Sequence, residues 1–171
     1  MAATEITEAV GTQNAVLSMR EFQPGDEAAF RRLNEEWIVR YFKLEPKDEY
    51  AFANPKETIL DRGGRIFFAV RGEEVLGTCA LLVMGPGEFE VAKMAVTPAA
   101  RGLGVGRFLL ESVVAEAKVA GAKRLYLETN HALTPAIHLY ERVGFERLPP
   151  ERVVPSPYAR ADVYMEMWLA A

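Results

Sequence analysis

Three glycines at alternate positions, Gly102, Gly104 and Gly106, stand in the segment Arg101-Gly102-Leu103-Gly104-Val105-Gly106, just ahead of an apolar run with helical spacing. Lacking side chains, they leave backbone N–H groups accessible. At a helix N-terminus those groups, with the partial positive charge of the helix end, suit a pyrophosphate or similar anion. Arg101 and Arg107 add formal positive charge at the same place. A tight turn packed against a sheet would use the same residues. No Gly-Lys-Ser/Thr ending follows, so the phosphate lysine and the magnesium-binding hydroxyl of a P-loop are missing. The residue three after Gly104 is Arg107, where a dinucleotide fingerprint needs glycine or alanine. Glu128, at the end of a later strand, is the one feature that favours a dinucleotide, at about the distance of a ribose-binding carboxylate.

Composition limits what else the chain can be. With 171 residues, 50% hydrophobic and 26% charged, it has the makeup of one soluble globular domain. A net charge of −4 and the lack of a dense Lys/Arg stripe argue against nucleic-acid binding. Met1 to Asn14 has no secretory signal pattern and no stretch is long enough to cross a bilayer, so the expectation is a cytoplasmic protein without a membrane partner. Cys79 is the sole cysteine and sits in an apolar run, which makes it a core side chain and excludes an intrachain disulfide. No His, Cys, Asp and Glu set has metal-site spacing, so no metal is expected.

The elements that must carry the glycine turn follow from periodicity. Residues 1–14 are expected to be disordered and residues 15–171 to form a single domain. Val16 to Phe22 reads as a strand, Pro24-Gly25 as a turn, and Asp26 as the N-cap of a helix bearing Phe30, Leu33, Trp37 and Tyr41 on one face. A shorter helix is expected after Asn54-Pro55, stopped by Gly63-Gly64. Ile66 to Val70, Val75 to Met84 and Glu88 to Val96 read as a three-strand meander joined by turns at Arg71-Gly72-Glu73-Glu74 and Gly85-Pro86-Gly87. A helix from Gly104 to Ala120, a strand from Arg124 to Thr129, a helix from Thr134 to Val143, a strand starting at Phe145 and a final strand from Asp162 to Leu169 complete the order. The class is α+β: a mixed, mostly antiparallel sheet of six to seven strands flanked by about four helices.

In this order the chain resembles the GNAT superfamily of N-acetyltransferases, whose fold binds acyl-CoA. Two blocks carry the resemblance: Glu90-Val91-Ala92-Lys93-Met94-Ala95-Val96 followed by the glycine turn, and Asn130 followed by Ala136-Ile137-His138-Leu139-Tyr140-Glu141-Arg142-Val143-Gly144-Phe145. The resemblance implies a V-shaped opening between the strands Glu88 to Val96 and Arg124 to Thr129. Backbone groups at Met94, Ala95 and Val96 would pair with the pantetheine arm of acetyl-CoA as an added strand. The pyrophosphate would rest on N–H groups of Arg101, Gly102, Leu103, Gly104, Val105, Gly106 and Arg107, with the sulfur toward Tyr140.

Acetyl transfer needs a neutral amine, a donor to the developing oxyanion and a proton for the departing thiolate. The resemblance makes Tyr140 the acid and Glu90 the general base, with Glu88 as the fallback; core packing for Tyr140 and a solvated strand carboxylate for Glu90 are the plainer alternatives. The backbone N–H of Met94 or Val96 is the expected oxyanion donor. Asn130 either bridges the cofactor amide, orders a water, or closes a turn, while His131 and His138 are read as surface or packing residues.

The acceptor site implied by the resemblance lies between Asp26 to Asp61 and Pro149 to Asp162. From Glu21 to Asp61 ten acids face six Lys/Arg, which would attract a cationic amine or simply form a solvated helix face. Trp37, Tyr41, Phe42, Tyr50 and Phe52 offer either an aromatic acceptor wall or core packing. The function expected is transfer from acetyl-CoA to a primary amine of a small molecule or peptide, by direct attack in a ternary complex. A non-catalytic acyl-CoA sensor and, more distantly, an NAD(H)-dependent enzyme are the alternatives. A homodimer is left open.

Overall fold

The run Ile66 to Val70 is apolar at every position because both faces of its strand are covered. In a computed structural model, which describes residues 15–170, Ile66, Phe68 and Val70 enter one core with Phe30, Leu33, Ile38 and Phe52. Phe67 and Ala69 enter a second core with Leu109, Leu110 and Leu125. The segment expected to be disordered, residues 1–14, lies outside the described residues.

Seven strands, β1 (Leu17–Glu21), β2 (Arg65–Arg71), β3 (Glu74–Gly85), β4 (Glu88–Val96), β5 (Arg124–Thr129), β6 (Glu146–Arg147) and β7 (Val163–Trp168), form one sheet in the order β1-β2-β3-β4-β5-β7-β6. Every neighbouring pair is antiparallel except β4 and β5. α1 (Glu27–Tyr41) and α2 (Pro46–Ala53) cover one face, and α3 (Val105–Val119) and α4 (Thr134–Val143) cover the other. The expected α+β class with a mixed, mostly antiparallel sheet is what forms. Among the described residues no helix is long and apolar enough to cross a membrane.

Two features of β4 open the sheet. Its parallel pairing with β5 runs only from Glu88 opposite Arg124 to Glu90 opposite Tyr126. Beyond Glu90 that edge of β4 has no strand beside it among the described residues. On the other edge, Thr78 pairs with Ala95 but Ala80 with Ala92, so Lys93 and Met94 together oppose Cys79. This is a β-bulge. Lys93 carries it with φ 53°, the one positive φ of a non-glycine among the described residues. The extra residue reverses the alternation: Val91 packs in the core beneath α3, yet Ala95 packs in the core beneath α1. An unbroken strand would keep residues four apart on one face.

Several expectations are corrected on the α1 side. Asp26 does stand at the α1 N-cap but makes no capping bond from its side chain. Its carboxylate instead accepts from Arg20 Nη1 at 2.7 Å and Nη2 at 3.0 Å, and from the Gln23 N–H. The buried α1 stripe is Phe30, Leu33, Asn34 and Ile38, whereas Tyr41 is 47% exposed. The helix expected after Asn54-Pro55 is a single π-turn, Lys56–Leu60, and the true second helix, α2, precedes it. The sequence sign of α2 is Pro46 at the first helical position with Asp48 two residues on, whose Oδ2 accepts from the Glu45 N–H at 2.9 Å. Eight residues with one large buried apolar group, Phe52, give too little periodicity to show it.

Asp48 also ties distant chain together. It is fully buried. Arg160 donates to both its oxygens, at 2.7 and 2.6 Å, and Lys93 Nζ lies 3.7 Å away. Burial pushes the Asp48 carboxyl up, but hydrogen bonds from Arg160 and the Glu45 backbone, with the charges of Arg160 and Lys93, hold it below its ordinary value. Asp48→Ala would leave part-buried Lys93 without a carboxylate and Arg160 with Glu45 alone, and is expected to cost about 3 kcal/mol in a urea melt at neutral pH. Because the folded carboxyl is depressed, this contribution is complete above the unfolded carboxyl pKa. It disappears as pH falls through the depressed folded value, so wild type and variant should converge in acid.

Candidate active site

The connection from β4 to α3 is a short 3-10 turn, Pro98–Ala100, followed by the glycines. Gly102 and Gly104 have φ of 77° and 79°, in the left-handed region that a side chain disfavours. Gly104 is the N-cap of α3. The N–H groups of Val105, Gly106 and Arg107 in the first turn have no backbone acceptor among the described residues. Gly106 closes the turn on the sheet, where an added Cβ would sit 3.5 Å from Leu139 and 3.8 Å from Val96. Arg107 is paired with Glu111 at 2.8 Å, and Leu103 points outward, 59% exposed.

A cleft of about 450 Å³ runs along this turn. It is walled by the open edge of β4 at Met94, Ala95 and Val96, by Arg101, Gly102, Gly104, Val105, Gly106 and Arg107, and by Leu139 and Tyr140 of α4. Of the residues expected to hold the cofactor, Leu103 and Asn130 are the two that do not line this cleft. Trp37, Tyr41, Ala100 and Ala136 line it as well, with Ala132, Leu133 and Pro135, which sequence reasoning missed. The last three sit one loop and one turn ahead of Tyr140, so their position followed from the helix once its face was known.

A second cavity of about 110 Å³ adjoins the first. Trp37, Met94, Leu133 and Tyr140 line both, so the two meet there. Its floor is the polar face of the sheet at Glu90 and Glu128; Asn130, Tyr158 and Arg160 lie around it. Tyr140 is half-buried at this junction and packs edge-on to Phe145, with ring centroids 6.1 Å apart. Its hydroxyl has no hydrogen-bond partner among the described residues. Burial, and secondarily Cys79, raises the phenol above its ordinary pKa, so it stays a proton donor at neutral pH. Cys79 itself is a core side chain whose thiol burial pushes up to about 12, which keeps it unreactive.

Glu90 is pushed up to about 7, first by burial and next by the nearby Glu128 charge, with Lys93 opposing. Glu88, the fallback base, lines neither cavity and lies 3.7 Å from Arg124. Arg124 belongs to a structural cluster in which it and Arg152 each donate to Glu166 Oε2 at 2.7 Å. Those bonds, Arg152 first, outweigh burial and hold Glu166 down to about 2. Asn130 has both ends engaged: its Nδ2 donates to Arg160 O in the segment before β7 and its Oδ1 accepts from the Ala132 N–H of its own loop, each at 2.8 Å. His131 is exposed and paired with Asp162, and His138 is exposed.

The acidic stretch from Glu21 to Asp61 is largely neutralised by its neighbours. Asp26, Glu35, Glu36 and Asp61 pair with Arg20, Arg31, Arg32 and Lys56, and Glu45 and Asp48 pair with Arg160. Of the five aromatics expected near an acceptor, Trp37 and Phe42 reach the smaller cavity and Tyr41 the cleft. Phe52 is core, and Tyr50 is exposed with its hydroxyl donating to Glu57.

A family model described as Acetyltransferase (GNAT) family matches residues 27–145. The uncharacterized N-acetyltransferase YjgM of Escherichia coli K12 is 30% identical over 138 residues, covering 76% of this chain and 82% of that protein. A GNAT-family acetyltransferase structure from Staphylococcus aureus superposes with a TM-score of 0.81 at 19% identity, over 91% of this chain and 100% of that one. A Bacillus subtilis acetyltransferase solved in complex with CoA gives a TM-score of 0.67 at 19% identity, over the same shares. With the family model spanning well over half its length, and a relative matched over most of both chains, this chain belongs to the GNAT acetyltransferase family and is an acyltransferase.

Proposed function

We propose that the protein moves an acetyl group from acetyl-CoA to a primary amine of a small molecule or peptide, with both substrates bound at once and the amine attacking directly. The observation that carries this is the meeting of two cavities at Tyr140 and Met94, one walled by the glycine turn and the other floored by carboxylates. The Bacillus subtilis neighbour with bound CoA shares the fold that forms the cleft.

Acetyl-CoA supplies an activated acyl group on a thiol leaving group. The residues of the cleft suit it: free N–H groups at the α3 N-terminus for the pyrophosphate, and the unpaired β4 edge for an extended arm. Glu90 accepts a proton from the bound ammonium, which leaves a nucleophilic nitrogen. The new carbon–nitrogen bond forms as the carbon–sulfur bond breaks, and the surplus proton on that nitrogen passes to water as the amide forms. The Met94 N–H, on the bulge at the cavity junction, steadies the oxyanion. Tyr140 gives its proton to the departing sulfur and is reprotonated from solvent after product leaves.

Glu90→Gln should lower kcat/KM by about 10²- to 10⁴-fold at pH 8, the range of a lost general base. Because the wild-type group must be ionised to act, the ratio of wild-type to variant kcat/KM should climb with pH up to about 7 and flatten above it. Taking the ratio at each pH cancels the titration of the amine itself. A ratio independent of pH would remove Glu90 as the base.

The decisive experiment is thiol release from acetyl-CoA against a panel of amines, amino acids and lysine peptides, alongside melting temperature with CoA or NAD(H). Turnover with at least one amine, and stabilisation by CoA alone, are expected. Stabilisation by CoA without turnover on any amine would make the protein a binding module. Stabilisation by NAD(H) instead would overturn the ligand.

A further inference from the structure

Buried carboxylates elsewhere in this fold are matched by cations. Asp48 has Arg160, and Glu166 has Arg124 and Arg152. Glu90 and Glu128 break that pattern, with neither making an ion pair or a side-chain hydrogen bond among the described residues. Glu128 Oε2 is sealed from solvent with no hydrogen-bond partner among the described residues. Leaving such an oxygen unsatisfied is costly, and a cation entering the cavity would relieve it.

The nearby cations are not free to do so. Lys93 Nζ donates to Tyr158 Oη at 3.0 Å and lies over the Phe52 and Tyr158 rings. Arg160 is spent on Asp48 and Glu45. The two carboxylates project from β4 and β5 just where those strands separate, beside the junction with the cofactor cleft. Trp37, Ile38 and Phe42 give the same cavity an apolar part, while its two cations, Lys93 and Arg160, are already held by Asp48. A water-sized group needs roughly 10–15 Å³ by this measure, so the cavity takes a compact head and a short stem.

We propose that Glu128, together with Glu90, binds the ammonium group of the acceptor and selects amines that carry this cation on an uncharged, apolar stem. Glu128 holds the charge while Glu90 removes the proton. A carboxylate next to the amine would face both acids and be rejected. This deepens the proposed transferase function and rests on it.

The test compares pentylamine with norleucine, which differs by one carboxylate, using wild type and Glu128→Gln at saturating acetyl-CoA. Wild type should prefer pentylamine in kcat/KM, and the variant should raise its KM about 10- to 100-fold, the worth of a hydrogen bond to a charged group. Acetyl-CoA affinity, measured separately by calorimetry, should stay the same and reports that the variant is folded. An unchanged KM in a folded variant, or wild-type use of norleucine equal to pentylamine, overturns the proposal; the second comparison needs no variant. If wild type acetylates no amine, the transferase reading fails on its own. Direct calorimetry of pentylamine then decides this one: binding weakened by Glu128→Gln supports it, while equal or absent binding overturns it.

Discussion

Tyr140→Phe is expected to slow kcat by about 10²- to 10⁴-fold while leaving acetyl-CoA affinity unchanged. The substitution removes one oxygen from a side chain whose ring stays where it is, edge-on to Phe145. The hydroxyl has no partner among the described residues, so its loss breaks no structural bond and stability should hardly move. What disappears is the one phenol among the described residues that lines both cleft and cavity. Its raised pKa keeps the proton in place across the neutral range, so the variant should be slow at every pH from 6 to 9 rather than at one extreme. Isothermal binding of acetyl-CoA and stopped-flow thiol release separate the two effects. A thiol with a lower leaving-group pKa should narrow the gap between variant and wild type, because it needs the donated proton less. Normal turnover with acetyl-CoA would remove Tyr140 from the chemistry.

Gly104→Val is expected to weaken cofactor binding, with acetyl-CoA affinity falling at least about tenfold, the worth of one hydrogen bond to a charged group. An added Cβ at Gly104 meets no atom within 4 Å, so crowding in the free protein is not the cause. Backbone conformation is. At φ 79° a β-branched residue is strained by about 1–3 kcal/mol, and relief turns the N–H groups of the α3 first turn away from the cleft. Gly104→Asn is the control, since asparagine tolerates the left-handed region and should keep most of the affinity. Equal affinity in the valine variant would mean that the pyrophosphate is held elsewhere.

How much of this was legible in the sequence varies with what each feature depends on. The glycine turn, the α3 stripe and the Tyr140 helix were readable because local spacing fixes them. Val105, Leu109, Leu110, Val113 and Val114 line up on α3 whatever packs against them. The β4 bulge was not readable. Lys93 sits in an apolar strand like any other residue, and only pairing with Thr78 and Ala80 shows that an extra residue has been inserted. Glu128 could be seen but not understood, because its neighbour Glu90 lies 38 positions earlier and meets it only through the parallel step. The acidic stretch misled for the opposite reason: composition counts charges, and here Arg20 and Arg160 from outside the stretch cancel several of them.

Lys93 links chemistry to recognition in one mechanical unit. Its backbone makes the bulge that presents Met94, and its ammonium is pinned by Asp48 of α2 and by Tyr158 in the segment before β7. These two contacts brace the bulge whose Met94 amide we propose as the oxyanion donor. The segment before β7 is therefore not independent of rate: a graft replacing residues 153–162 would slacken the bulge and is expected to lower kcat as well as altering affinity. Exchange of substrate range by loop transplant should succeed only where Asp48, Tyr158 and Arg160 travel with it.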